Sequence, residues 1–322
     1  MRIRAFIAAA CASLLAGLFA TAASAQQAPA AGAAQICANC HEAYVNSFMK
    51  GPHAAKGAKG SPAAKGEECV ACHGDVSKHL QDPTKAKPQI TFSKTEAAGA
   101  KAQVCLNCHE SNRQLAFWAA GKHNQNEVAC NSCHSIHGKT PDPRIGPFVT
   151  TQRTLEYQTC NSCHAQVRGQ IQKTSHHPII EGKVACSDCH NPHGALSPVM
   201  LKSESVNDQC VSCHADKRGP FVFQHPAVAE NCLSCHQPHG STHNKLLNEK
   251  VPNLCQDCHD WSRHPGTMYS GKEGWPEIGK PANTPSGFNT ASTRFVARSC
   301  LNCHNAIHGS NAPANRGKFL TR

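Results

Sequence analysis

Ten Cys-x-x-Cys-His motifs carry the chemistry of this chain. Their thiol pairs are Cys37 and Cys40, Cys69 and Cys72, Cys105 and Cys108, Cys130 and Cys133, Cys160 and Cys163, Cys186 and Cys189, Cys210 and Cys213, Cys232 and Cys235, Cys255 and Cys258, and Cys300 and Cys303. They use every cysteine but Cys11. This spacing is that of covalent c-type haem attachment, in which two thioether bonds hold the porphyrin and the adjacent histidine takes one axial position on iron. Ten covalently bound haems c are expected, with His41, His73, His109, His134, His164, His190, His214, His236, His259 and His304 as proximal iron ligands.

A second axial ligand is needed for each iron, and methionine is too scarce to supply it: outside the N-terminal segment only Met49, Met200 and Met268 occur. Twelve histidines lie outside the motifs. Taken in consecutive pairs, the motifs have one such histidine in the gap before the second motif, namely His53, His123, His177, His225 and His264. Another follows that motif closely: His79, His137, His193, His239 and His308. Ten positions meet ten irons, with His176 and His243 left over. His177 is preferred to His176 because its His-Pro dipeptide recurs at His225-Pro226 and His264-Pro265.

Two other chemistries are disfavoured by this pattern. Cys2His2 zinc sites space their second ligand pair about a dozen residues downstream, and give no reason for histidine to follow cysteine directly. Redox-active disulfides in such number are equally ill matched, although an oxidising compartment would permit them. Bis-His ligation places the potentials toward the low end of the range and leaves no iron open for substrate. The chain therefore reads as an electron-transfer protein with no catalytic residues, not an enzyme. Its alternative is a terminal metal oxidoreductase acting at an exposed haem edge.

The elements that position these groups are sparse. Arg2 and Arg4, the apolar run from Ala5 to Ala20 and Ala23-Ser24-Ala25 read as a signal peptide over 1–25, which implies export to the periplasm; residues 26–35 form a short linker. What remains is roughly 30 residues per motif, too few for a conventional core around each site. The expected fold is an elongated multihaem cytochrome c over 36–322, mostly irregular with short α-helices, little or no β-sheet and a core formed by haems. The formal charge of +11 does not indicate nucleic acid, because haem propionates would offset most of it. Lys50, Lys56, Lys59 and Lys65 sit in a low-complexity stretch that reads as a solvated linker.

Internal similarity supports a period of two motifs. Phe48 to His53 and Trp118 to His123 share aromatic-x-x-Gly-x-His, CNSCHAQVRG at Cys160 parallels CVSCHADKRG at Cys210, and CHNPHG at Cys189 parallels CHQPHG at Cys235. Five two-haem modules are expected, at about 36–80, 104–138, 159–194, 209–243 and 254–309. A histidine three residues after a proximal one springs from the same short turn and cannot reach the opposite face of the same porphyrin. His137, His193 and His239 are accordingly expected to serve the first site of their own module, and the intervening histidines the second. The gap from Asp260 to Ser299, 40 residues against 17 to 31 elsewhere, is read as an insertion that forms a solvated loop or covers the last pair of sites.

The complete motif set, the export signal and the paired histidines resemble the periplasmic decahaem cytochromes of porin-cytochrome outer-membrane electron conduits, the MtrA, DmsE and PioA type. The resemblance covers Ile36 to the motif at Cys300. It implies an outer-membrane β-barrel porin partner and exchange with periplasmic or inner-membrane cytochromes. An extracellular multihaem cytochrome or metal would stand at the far end, in metal reduction or Fe(II) oxidation. Direction of flow does not follow from it.

Overall fold

The computed structural model describes residues 33–137, 155–259, 299–313 and 317–321. The N-terminal segment to residue 32 and residues 260–298, which include His264, lie outside them. Among the described residues the longest helical stretches are Ala33–Phe48, kinked at His41, and Ala98–His109, and the rest are short turns such as Val70–His73, Cys186–Cys189 and Val206–Val211. Each motif dictates its own turn. The histidine N–H donates to the first cysteine carbonyl at 3.0 Å in His73, His164, His190, His214, His236 and His259, at 2.8 Å in His134 and at 2.9 Å in His304. That single α-type turn brings residues i, i+3 and i+4 to one side, so both thiols and the imidazole face the same space.

No sheet forms among the described residues. Strand pairing is confined to the isolated antiparallel bridges Ser175 to Ser241, His190 to Leu201, Phe223 to Ser310 and His236 to Leu247. Among the described residues the buried apolar set is Phe48, Trp118, Ile171, Ile179 and four alanines, too little to form the core of so long a stretch of chain. The expected irregular, helix-poor multihaem cytochrome fold is what the chain adopts.

The lysine-rich stretch departs from the solvated linker expected of it. Ser61 caps the turn Pro62–Lys65, accepting from the Ala64 N–H at 3.1 Å, and donates its own hydroxyl to the Ala55 carbonyl at 2.7 Å. Ser61 and Ala63 are buried while Lys50, Lys56, Lys59 and Lys65 stay exposed. Alanine and serine are small enough to close such a turn, which composition alone does not reveal. No helix among the described residues is long and apolar enough to cross a membrane.

Tertiary order comes from a contact repeated between neighbouring modules. The backbone around Gly194 lies against Phe117, and that around Gly240 against Gln170. Ser175 N–H donates to the Ser241 carbonyl at 3.0 Å with the reciprocal bond at 2.7 Å, and Phe223 and Ser310 exchange bonds at 2.9 Å each. In the first pair of modules Ser47 Oγ donates to the His137 carbonyl. Each time, the segment leading to an intervening histidine packs on the turn that follows the next module's second motif.

Candidate functional site

The imidazoles come together two by two. Ring centres are 6.2 Å apart for His41 and His79, 6.2 Å for His73 and His137, 6.1 Å for His109 and His53, and 6.0 Å for His134 and His193. They are 6.1 Å apart for His164 and His123, 6.1 Å for His190 and His239, and 6.2 Å for His214 and His177. The last two pairs are His236 with His308 at 6.2 Å and His259 with His225 at 6.1 Å. Two imidazoles on opposite sides of one metal, each bonded at about 2 Å, would have ring centres ~6 Å apart. The nine pairs therefore fit a six-coordinate iron held between them, and each pair joins one motif histidine to one non-motif histidine.

Protonation and orientation agree with this fit. Burial holds His53, His134, His137, His193, His225, His239 and His308 below the ordinary histidine value, which favours the neutral ring that binds metal. Nδ1–H of His79 donates to the Ala86 carbonyl at 2.8 Å, that of His123 to Pro192 at 2.7 Å and that of His177 to Pro238 at 2.7 Å. Such bonds fix the tautomer and leave Nε2 free for the metal.

The thiols form a succession. First cysteines lie close enough to perturb one another within each pair of motifs: Cys37 and Cys69, Cys105 and Cys130, Cys160 and Cys186, Cys210 and Cys232, and Cys255 and Cys300. Second cysteines of one pair lie within electrostatic reach of the next: Cys72 with Cys108, Cys133 with Cys163, Cys189 with Cys213 and Cys235 with Cys258. Burial, then the neighbouring Cys37, pushes the Cys69 thiol up to about 12. Neighbouring attachment sites thus adjoin from Cys37 to Cys300 without a break. Glu156 lies with Cys160 and Cys186 within 4.8 Å, but both thiols belong to motifs and the carboxylate accepts from Ser187 N and Oγ at 2.7 and 2.6 Å.

Sequence comparisons agree with this geometry. A model of the doubled CXXCH motif matches residues 176–219 and 225–264, and one of the cytochrome c-type protein NrfB-like family matches residues 69–146. The multiheme cytochrome MtrA of Shewanella baltica (strain OS185) is 38% identical over 294 residues, covering 90% of this chain and 81% of that protein. The chain belongs to the MtrA family of multihaem cytochromes. The cytochrome c-type protein NrfB of Haemophilus influenzae (strain ATCC 51907 / DSM 11121 / KW20 / Rd) is 26% identical over 172 residues, covering 46% of this chain and 71% of that one. Covalently bound haem c and electron transfer follow for this multihaem cytochrome.

One expectation needs correction. Only His79 stands opposite the first motif histidine of its own module, His41. His137, His193 and His239, expected to serve His109, His164 and His214, instead face His73, His134 and His190, each the second site of the preceding module; His308 faces His236 in the same way. The intervening His53, His123, His177 and His225 face the first site of the following module. The cause is the contact between modules: Gly194 at φ +115° and Gly309 at φ +138° let the turn after the tail histidine press on the preceding module, turning that histidine away from its own. The doubled-motif match follows this ligation, since 176–219 contains both His177 and His214, and 225–264 both His225 and His259.

The leftover histidines are placed apart from the pairs. His176 donates to the Glu181 carboxylate at 3.0 Å and the Lys173 carbonyl at 2.5 Å, and the His243 backbone N–H donates to Ser241 Oγ at 3.0 Å. His264, the expected partner of His304, lies outside the described residues.

Proposed function

We propose that the chain is a periplasmic decahaem conduit cytochrome. It binds ten haems c, each between a motif histidine and one of His53, His79, His123, His137, His177, His193, His225, His239, His264 and His308, and it works across the outer membrane with a β-barrel porin. Bound haem supplies reversible one-electron exchange at each iron. The protein's part is to hold these groups in file, to fill both axial positions so that nothing displaces them, and to bind carriers at its ends.

The observation that carries this proposal is the unbroken succession of adjoining attachment sites along the chain. A file of ten stacked groups would exceed the ~40 to 45 Å of a bilayer with its headgroups, and a barrel's polar lumen would accept a chain without an apolar span. Two measurements test it. Intact mass of the exported protein should correspond to cleavage before Gln26 and ten haems. Liposomes holding an internal electron acceptor should exchange electrons with an outside donor only when cytochrome and barrel are both present. Eight haems or fewer, or equal exchange without the barrel, would reject it.

A further inference from the structure

The histidines of the second, sixth, eighth and tenth motifs are treated differently from those of the odd-numbered ones. After the sixth motif the chain turns back so that Asn191 N–H donates to the Met200 carbonyl at 2.8 Å and Lys202 N–H to the Cys189 carbonyl at 2.9 Å. After the eighth, Gln237 N–H donates to Leu246 at 2.7 Å and Asn248 N–H to Cys235 at 2.8 Å. These return loops put one carbonyl on the proximal ring: Val199 accepts from His190 Nδ1–H at 2.9 Å and Lys245 from His236 Nδ1–H at 2.9 Å. Phe319 accepts from His304 at 2.6 Å, and Ile90 from His73 at 2.8 Å.

Backbone strain marks the same loops. Six non-glycine residues among those described have left-handed φ, and five of them are here: Phe92 at 57°, Met200 at 56°, Lys245 at 60°, Leu246 at 58° and Leu320 at 55°. Bulky side chains resist this conformation, and it persists only where the surroundings enforce it. By contrast, His41, His109, His164, His214 and His259 are exposed, with no hydrogen-bond partner for the ring among the described residues. At three of those sites a carbonyl falls on the opposite imidazole: Ala86 on His79, opposite His41, and, from another module, Pro192 on His123 and Pro238 on His177. His225 Nδ1 is buried and faces the Ile307 carbonyl without a well-formed bond.

We propose that the residues around Phe92, Met200, Leu246 and Leu320 are positioning residues that set the proximal imidazole of the second, sixth, eighth and tenth haems, setting these apart from the odd-numbered ones. At these four sites the proximal ring is held locally, by a return loop, whereas at the sites of His164 and His214 only the opposite ring is held, from the neighbouring module; His137 and His239, opposite His73 and His190, add acceptors of that second kind, the Tyr44 carbonyl at 3.3 Å and Gln170 Oε1 at 3.2 Å. An N–H to carbonyl bond at Nδ1 strengthens Nε2 as a donor and fixes the ring plane. A stronger donor favours the ferric state, so losing the bond raises the potential of that one site. This inference rests on the bis-His ligation proposed above.

The test uses the full haem-loaded protein, whose haem count and bis-His signals are measured first; absence of bis-His signals in the unaltered protein would reject the ligation itself. Met200→Val puts a β-branched residue where φ is positive and should turn the Val199 carbonyl away, whereas Met200→Gly accepts the conformation while also removing the thioether. The valine variant should raise one reduction potential of the ten and shift one bis-His EPR signal. The glycine variant should match the unaltered protein in both. Leu320→Val and Leu320→Gly repeat the contrast at His304 should the first valine variant not load haem. Unchanged potentials and spectra in a ten-haem valine variant, or an equal shift in both members of a pair, would overturn the proposal.

Discussion

The first site and the interior sites obtain their second histidine in different ways. His41 faces His79, from the same pair of motifs, whereas His73, His134, His190 and His236 face histidines of the following module and His109, His164, His214 and His259 face histidines of the preceding one. An end has no neighbour on one side, so it closes on itself. Interior modules each give one imidazole forward and one back. On the proposed ligation, successive modules would be joined through iron as well as by backbone contact, and a repeat protein whose nearest-neighbour terms dominate should unfold with high cooperativity.

The largest effect that would break this contrast is a change in the number of bis-His centres. His239→Ala combined with His190→Met should remove one bis-His centre from the ten-haem protein, since both residues face the same site. His239→Ala combined with His214→Met should remove two. In the first module, His79→Ala with His41→Met should again remove one. Integrated EPR of haem-counted samples gives the numbers, and two lost centres in the first combination would restore ligation within modules.

Much of the candidate site is legible in the sequence because covalent attachment needs a fixed local spacing. The ten motifs are countable, and each folds as the single turn its spacing demands. The set of second histidines is also countable, and recurrence of His-Pro separates His177 from His176 without any coordinates. Partner choice is not legible in that way. It depends on which module the turn at His193-Gly194 or His239-Gly240 packs against, which is a contact over 69 residues in the case of His123 and Pro192. A signal did exist: glycine follows His137, His193, His239 and His308 but not His79, and an obligatory glycine marks a close backbone approach. The return loops left a fainter trace, since Met200 and Leu246 stand ten residues after His190 and His236, yet nothing in a methionine or leucine announces left-handed backbone.

A smaller effect should separate contacts between modules from helix interiors. A Cβ at Gly194 would lie 2.2 Å from the Phe117 carbonyl oxygen, on backbone at φ +115°, whereas one at Gly169, inside the turn Ala165–Gln170, meets nothing within 4 Å. Gly194→Ala should destabilise the haem-loaded protein by about 3 kcal/mol or more. Gly169→Ala should stabilise it by about 0.5 to 1 kcal/mol through helix propensity. Denaturant unfolding followed at the Soret band measures both, and equal midpoints would mean that the Gly194 contact does not hold neighbouring modules together.

The smallest expected effect lies at the return loop of the first module, whose second site is reached by the Ile90 carbonyl. Glu96 accepts from Thr91 N at 2.8 Å and Thr91 Oγ1 at 2.5 Å, next to Phe92 with its left-handed φ. The Thr91 hydroxyl bond, helped by backbone N–H groups, holds the Glu96 carboxyl below its ordinary value despite the opposing effect of burial. A carboxyl depressed in the folded state contributes stability that is present above its unfolded value of about 4.3, and that is lost as pH falls through the lower folded one. Glu96→Gln removes the titrating group while keeping one acceptor. The stability advantage of the unaltered protein over this variant should therefore be constant from pH 7 to about 5 and shrink below about 4.3. Interior return loops at Met200 and Leu246 have no such carboxylate bond among the described residues, so Met200→Gly should show no acid-side change. A difference between unaltered protein and Glu96→Gln that is flat down to pH 3 would mean that the loop at Phe92 is held by its backbone alone, as the interior loops are.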